Sequence, residues 1–220
     1  MQPVNKTRLN FITMKKLFSI IAFIAMAAVA VAQSPEEIIS RMEAEMDKHE
    51  NDGLAMTMDM KIPILGTISS RSYILGEKYR VEVVKDGNEV ISWIDEKTEW
   101  TYDSEKNEVE IKNKEAKEKK ENEGDVKMFN GITDGYDVTL DKETADAWHF
   151  RCKRSKSNPD KDAPKKMTLV VAKGTYMPVS LSASVSLVTV TMRDLSYGVT
   201  EKQVTFDPKD YPTATIVDKR

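Results

Sequence analysis

The sequence predicts a mainly β protein with a few helices, in which a curved antiparallel sheet wraps around those helices. Residues 34–52 carry apolar side chains at helical spacing, whereas 54–112 alternate between apolar and polar side chains, as strands do. The alternation resumes over 136–195. A sheet with one apolar face must cover that face, and only about two helices are available to do so. We therefore expect a strongly curved sheet, a shape that leaves room for an interior gap.

The first element, 34–52, has the features of an amphipathic helix. Ser34 is suited to cap it, Pro35 fits the first turn, and Glu37 completes a capping box. We expect Asp52 and Gly53 to end the helix. Its apolar stripe consists of Ile38, Ile39, Met42 and Met46.

The strands that follow predict an antiparallel meander with one wet and one apolar face. The first strand places Leu54, Met56, Met58, Met60 and Ile62 on one side. The next groups Tyr79, Val81 and Val83, and the pair Asp86-Gly87 predicts a hairpin after it. Trp100 then aligns with Tyr102, and Val109 aligns with Ile111.

Two later segments interrupt this pattern. Residues 113–125 are almost wholly charged and predict a solvated loop or an exposed helix, and 125–132 predict a short helix with Met128, Phe129 and Ile132 on one side. Within 179–192 the apolar positions change from odd to even numbers. We expect a turn or bulge near 184–187 to produce that change.

The N-terminal region predicts export. After Met14, two lysines precede an apolar run over 17–29 that is shorter than the roughly 20 residues a membrane-spanning helix needs. Ala30-Val31-Ala32 then provides a signal-peptidase site, so we expect cleavage before Gln33. The sequence thus predicts a signal peptide over 1–32, starting at Met14, and a single domain over 33–220. An uncleaved anchor helix is the alternative.

The residue types argue for a soluble exported protein without a lipid anchor. Gln33 stands where a bacterial lipoprotein would carry a cysteine, and the one cysteine of the chain, Cys152, excludes an internal disulfide. The 33 Lys and Arg residues and 36 Asp and Glu residues give a net charge of −3, which argues against a nucleic-acid partner.

The sequence offers no support for catalysis, so we predict that the protein is not an enzyme and needs no metal or cofactor. His149 shares a strand face with Arg151, while Cys152 lies on the other face, so a surface histidine and a core cysteine are favoured over a nucleophile pair. C-x-x-C, H-E-x-x-H, G-x-S-x-G and phosphate-loop patterns are absent from the sequence.

Residues 95–102, DEKTEWTY, resemble the D-G-K-T-x-W-x-Y strand of the periplasmic outer-membrane lipoprotein carrier (LolA-like) family, with Glu96 in place of the glycine. Residues 66–83 are similar to that family's early pair of strands, and 204–218 are similar to its C-terminal region. One difference is that 75–78 read Leu-Gly-Glu-Lys, where better-known members carry an Arg-Pro pair. The role that the family gives to that arginine is therefore not transferred.

The resemblance implies an incomplete β-barrel, closed by the N-terminal helix and by short inserted helices, around a hydrophobic cavity. The cavity would hold the acyl chains of lipoproteins crossing the periplasm. An inner-membrane ABC transporter would load this carrier, an outer-membrane acceptor would unload it, and we expect a monomer. An envelope sensor or regulatory interaction domain on the same fold is the alternative function, and an esterase-like enzyme is a third.

Eleven residues are candidates for the lipid-binding cavity, with plain core packing as the alternative for each. Methionine is unbranched and polarizable, which suits a surface for flexible acyl chains. The candidates are Met42, Met46, Met56, Met58, Met60, Tyr79, Val81, Trp100, Tyr102, Met128 and Phe129.

Overall fold

The computed structural model describes residues 33–114, 131–158, 160 and 162–220. The chain divides after Ser34 into two units, of which the second, Pro35–Arg220, is compact. The predicted signal peptide, most of the charged segment, and Met128 and Phe129 lie outside the described residues. In the part of the chain that is described, no helix combines the length and apolarity needed to cross a membrane.

The described residues of the second unit contain twelve strands in one sheet. The sheet order is β12-β6-β5-β4-β3-β2-β1-β11-β10-β9-β8-β7, and because β12 and β7 stand at opposite edges, the sheet is open. This arrangement confirms the predicted mainly β fold with an incomplete barrel. The strands are β1 (Leu54–Ile62), β2 (Gly66–Leu75), β3 (Lys78–Lys85), β4 (Asn88–Ile94), β5 (Thr98–Asp103), β6 (Glu108–Asn113), β7 (Tyr136–Glu143), β8 (Ala147–Arg154), β9 (Lys166–Ala172), β10 (Pro178–Val185), β11 (Val188–Tyr197) and β12 (Thr215–Asp218).

The described helices are α1 (Pro35–Asp47), α2 (Ile132–Gly135) and α3 (Glu201–Val204), with a 3₁₀ turn at Pro208–Asp210. The stripe predicted for α1 is confirmed, since Ile38, Ile39, Met42 and Met46 are its buried residues. They pack on one face of the sheet, which we call the helix face.

Helix α1 ends earlier than the sequence predicts, at Asp47. The ring of His49 stacks on Tyr197 at 4.6 Å, and its Nδ1 lies 2.7 Å from Asp52 Oδ2, so the following residues form a tight connection. Gly53 then takes a φ of +67°, and a Cβ there would lie 2.8 Å from the carbonyl oxygen of Ile74. A side chain at this position would therefore disturb β2.

The predicted strand boundaries and turns largely agree with the structure. The first strand is confirmed over its full length, and Asp86 and Gly87 form the turn of the β3–β4 hairpin. The change of apolar phase near 184–187 is a turn between β10 and β11, with Ser186 at a φ of +55°.

Strand pairing shows which residues share a face, because directly paired residues point to the same side. Tyr79 pairs with Ile74, which in turn pairs with Leu54, so Tyr79 lies on the helix face. Arg80 pairs with Trp93, and Trp93 pairs with Trp100. Both tryptophans therefore lie on the opposite face.

The prediction that the whole meander shares one apolar face is therefore wrong. Strand β4 is apolar on both faces, and the apolar side of β5 and β6 is the opposite face. Residues 199–218, which we call the C-terminal segment, cover the opposite face there. Val199 and Val204 pack with Ala55 near its start, while Phe206 and Tyr211 pack on Trp93.

One edge of the sheet departs from the antiparallel pattern, since β12 pairs with β6 in parallel. Asn107 fixes the approach of β12, because its Nδ2 donates to the Thr213 carbonyl at 2.9 Å and its carbonyl accepts from Thr215 N at 2.9 Å. A parallel strand needs a long crossover connection, which the C-terminal segment supplies by crossing the opposite face.

Candidate functional site

The layer between α1 and the helix face is rich in methionine. Met56 is 2% exposed and Met42 is fully buried, while Met58 is partly buried against the same cluster. The methionine layer, as we call it, consists of Met42, Met46, Met56, Met58, Met167 and Met192. Because these side chains are flexible and polarizable, the layer adapts its shape at lower cost than one of branched residues.

The helix face continues beyond this layer as an apolar strip on β2 to β4. Its members are mostly half-buried, and none of them belongs to the core cluster of buried residues that the structure describes under α1. On β5 the same face becomes polar at Glu99 and Thr101, so the strip ends there. The apolar strip consists of Ile68, Tyr79, Val81, Val83, Val90 and Ile94.

Two serines on β2 separate the methionine layer from the apolar strip. Ser72 lies between Met56 and Val81, and Ser70 lies between Met58 and Val83. The Ser70 hydroxyl donates to the Met58 carbonyl at 3.4 Å, so it is directed toward the backbone. The serine side chains are shorter than the methionine and valine side chains paired with them on either side, and we call this low row along β2 the serine groove.

At the β3–β4 hairpin the strip ends in a shallow depression of about 260 Å³. Val83 and Val90 form its apolar side, and its other lining residues are polar or charged: Lys85, Asp86, Asn88, Asp103 and Glu105. The depression therefore offers polar and apolar contacts side by side to a bound molecule.

The structure brings together only part of the predicted cavity set. Met42, Met46, Met56 and Met58 lie in the methionine layer, and Tyr79 and Val81 lie in the strip. Met60 lies further along β1 and is 37% exposed. Trp100 and Tyr102 lie on the opposite face, so the structure does not place them beside the methionines.

The aromatic residues of the opposite face form their own layer. Trp100 lies 6.0 Å from Phe206, and Tyr102 lies 4.5 Å from Tyr211, between ring centroids. The guanidinium of Arg80 lies 5.4 Å from the Trp93 ring. The ring contacts attach the C-terminal segment to the sheet. The aromatic residues of this face therefore serve as core packing.

Sequence reasoning did not find Met167, Met192 or the two serines of the groove. Met192 pairs directly with both Met58 and Leu181, and Leu181 pairs with Leu169. The alternation within 166–172 and 188–192 already marks these residues as facing one side. What the sequence lacks is the pairing of β1 with β11, which joins distant parts of the chain.

A half-buried carboxylate fixes α2 against α1. Glu43 accepts a hydrogen bond from the backbone N–H of Gly131 at 3.0 Å, and Ile132 beside it is buried in the core cluster. Burial raises the pKa of Glu43, although the hydrogen bonds from Gly131 and Ile132 act in the opposite direction. The carboxylate therefore has a structural role at the start of α2.

Among the described residues, the side chains that could act as a nucleophile or as metal ligands are unfavourably placed for those roles. Burial raises the pKa of Cys152 to about 11, so the thiol stays protonated at neutral pH. Among the described residues, no group of three or more His, Cys, Asp or Glu side chains is arranged to hold a metal ion.

No protein-family model matches the chain, and no curated protein matches it. Several solved structures do. An uncharacterized conserved protein of Thermus thermophilus is 21% identical, with 85% of this chain and 100% of that chain covered and a TM-score of 0.44. The lipoprotein LppX of Mycobacterium tuberculosis is 11% identical, with 76% and 98% covered and a TM-score of 0.49. A LolA superfamily protein of Nitrosomonas europaea is 10% identical, with 76% and 98% covered and a TM-score of 0.30. Function is argued below from this chain's own residues.

Proposed function

We propose that this protein is a periplasmic carrier that binds the acyl chains of lipoproteins, or of other lipids, and shuttles them toward the outer membrane. The observation that carries the proposal is the serine groove, with Met56 and Met58 on one side and Val81 and Val83 on the other. An acyl chain lying along β2 would contact apolar side chains on both sides and find few directional polar groups.

The size of the effect is sufficient for a carrier. Burying one methylene contributes about 0.8 kcal/mol, so a fully buried chain of about 15 methylenes would gain at most roughly 12 kcal/mol before ordering costs. Micromolar affinity needs about 8 kcal/mol. The difference leaves room for the entropy lost by the chain, and an affinity in this range permits release without a chemical step.

The proposed route includes loading by an inner-membrane ABC transporter and delivery to an outer-membrane acceptor. The support for these partners is the sequence resemblance at 95–102, and the support for the periplasm is the predicted signal peptide. Binding and release need no catalytic group, which fits the buried, protonated Cys152.

The test fills the groove with apolar side chains while keeping the fold. Met58→Trp adds volume at one side of the groove, and Ser70→Leu adds volume at its floor. We expect each to weaken binding of a fluorescent fatty acid at least tenfold while the urea midpoint holds or rises. Trp100→Leu is the control, since it acts on the opposite face and should lower stability without changing affinity. If the groove variants lose stability through overpacking, by about 1–3 kcal/mol, and keep their affinity, the groove is not the binding site.

A second measurement separates the carrier from the regulatory alternative. The full chain is purified gently from its own envelope fraction, and the retained molecules are identified by mass spectrometry. Retained lipid that transfers to acceptor vesicles supports the carrier. A stoichiometric protein partner without lipid supports the regulatory interaction domain and contradicts the proposal.

A further inference from the structure

Two neighbouring hairpins expose large apolar side chains at one end of the sheet. The β1–β2 and β10–β11 hairpins end side by side, because Lys61 on β1 pairs with Thr189 on β11. Ile64 is 105% exposed, Leu187 is 78% exposed and Leu65 is 71% exposed. The tip cluster, as we call it, consists of Met60, Ile64, Leu65, Val185 and Leu187.

These two hairpins themselves carry little charge near their ends. Residues 60–70 and 179–192, which form the two hairpin ends, contain one charged side chain, Lys61. Charged residues make up 31% of the whole chain, so these two segments differ sharply from the average composition. A large exposed apolar area without charges marks a contact surface rather than a solvated one.

The backbone at the tip conflicts with the side chain that it carries. Ile64 follows Pro63 in the turn and has a φ of +73°, a conformation that turns usually give to glycine. A β-branched residue in this region is strained, and a side chain that is 105% exposed gains little packing to offset the strain. Such a local conflict is expected where a residue serves a surface function.

The tip cluster fits a lipid bilayer better than a protein partner. A specific protein interface draws about 20 to 30 residues from each side and needs matching shapes. The tip cluster offers five residues at the ends of two hairpins. A bilayer requires no shape match, but it strongly disfavours charged groups, which these hairpin ends almost lack.

We propose that the tip cluster inserts into the interfacial region of a lipid bilayer and docks the protein there. This docking does not rest on the proposed acyl-chain binding. On β1, Met56, Met58 and Met60 share one face and lead from the methionine layer toward the tips. If the proposed function holds, the docked protein therefore has its groove close to the source or destination of the acyl chain.

The first test is flotation of the full chain with vesicles of phosphatidylethanolamine and phosphatidylglycerol, and with vesicles of phosphatidylcholine. Because the tips carry a single charge, we expect binding to both kinds of vesicle, with little dependence on salt. The double variant Ile64→Gly, Leu187→Ser should lower the partition coefficient at least tenfold. Ile64→Gly relieves the positive φ, so the fold should be retained. The control Val179→Ser removes a side chain that is 46% exposed outside the tip cluster and should change partition less than twofold.

A second measurement locates the contact. Leu65→Trp should show a blue-shifted tryptophan emission on addition of vesicles and quenching by brominated acyl chains. Failure of the unaltered chain to float, or flotation of the double variant equal to that of the unaltered chain, overturns the proposal. Fatty-acid affinity measured on the double variant should be unchanged, so a failure of docking and a failure of acyl binding are distinguishable.

Discussion

The packing between Trp93 and the C-terminal segment predicts a measurable coupling between two distant parts of the chain. Trp93 is 3% exposed, and its ring lies 5.3 Å from Phe206 and 5.6 Å from Tyr211. Truncating a buried tryptophan to alanine lowers stability by about 3–5 kcal/mol. Because leucine retains part of the contact, we expect Trp93→Leu to lower the free energy of unfolding by about 2–4 kcal/mol. Edge-to-face aromatic pairs contribute about 0.5–1.5 kcal/mol beyond buried area, and this is the coupling we expect in a double-mutant cycle of Trp93→Leu with Phe206→Leu.

The assay is urea unfolding of the four proteins in the cycle, followed by far-ultraviolet circular dichroism so that the loss of a tryptophan does not affect the signal. Trp148→Leu provides the matched control, because Trp148 packs on Tyr176 at 5.4 Å and against the helix-face cluster. Its effect should add to that of Phe206→Leu within about 0.5 kcal/mol. A coupling near zero for Trp93, or an equal coupling for Trp148, would refute the assignment of these residues to separate layers.

Two further predictions concern titratable groups. Because burial raises the pKa of Cys152 to about 11, the native protein should react with a thiol reagent at neutral pH far more slowly than the urea-unfolded protein, and equal rates would contradict the burial. Hydrogen bonds from Arg193 and Ser69 lower the pKa of Asp59, so its contribution to stability is present above the ordinary pKa of about 4 and is lost as pH falls through the lowered value. The stability difference between the unaltered chain and Asp59→Asn should therefore be largest near pH 7 and shrink toward pH 3, and a difference that grows on acidification would contradict this sign.

The local elements of the fold could be predicted from the sequence because alternation and helical spacing are properties of short segments. The stripe of α1 and the five-residue apolar side of β1 follow directly from the spacing of Ile38, Met42, Met56 and their neighbours. The hairpin at Asp86-Gly87 follows from turn chemistry.

The relation between faces could not be predicted, because β4 is apolar in both phases. Val90 and Ile94 point to the helix face, while Ile91 and Trp93 point to the opposite face. A strand of this kind does not reveal at which point the apolar side of a meander changes. This is why Trp100 and Met58 were expected in one cavity, although the structure places them on different faces.

The cover of the opposite face was also beyond local reasoning. Residues 205–214 are mostly polar and turn-forming, and only Phe206 and Tyr211 indicate an apolar role. Their partners lie on β4 and β5, far away in sequence, so only strand pairing and ring contacts show what they cover.

The crossover of the C-terminal segment has a consequence for the order of folding. Asn107 and Thr213 are hydrogen-bonded across 106 residues, and the whole aromatic layer closes over contacts of similar range. Closing so long a loop costs entropy before the contacts form, which slows this step relative to the hairpins. During synthesis, Trp93 and Trp100 therefore remain exposed to solvent until residues 199–218 have been made. A chain interrupted before that point presents an unpaired β6 edge and an open aromatic surface, the features by which holding chaperones and aggregation both select their targets.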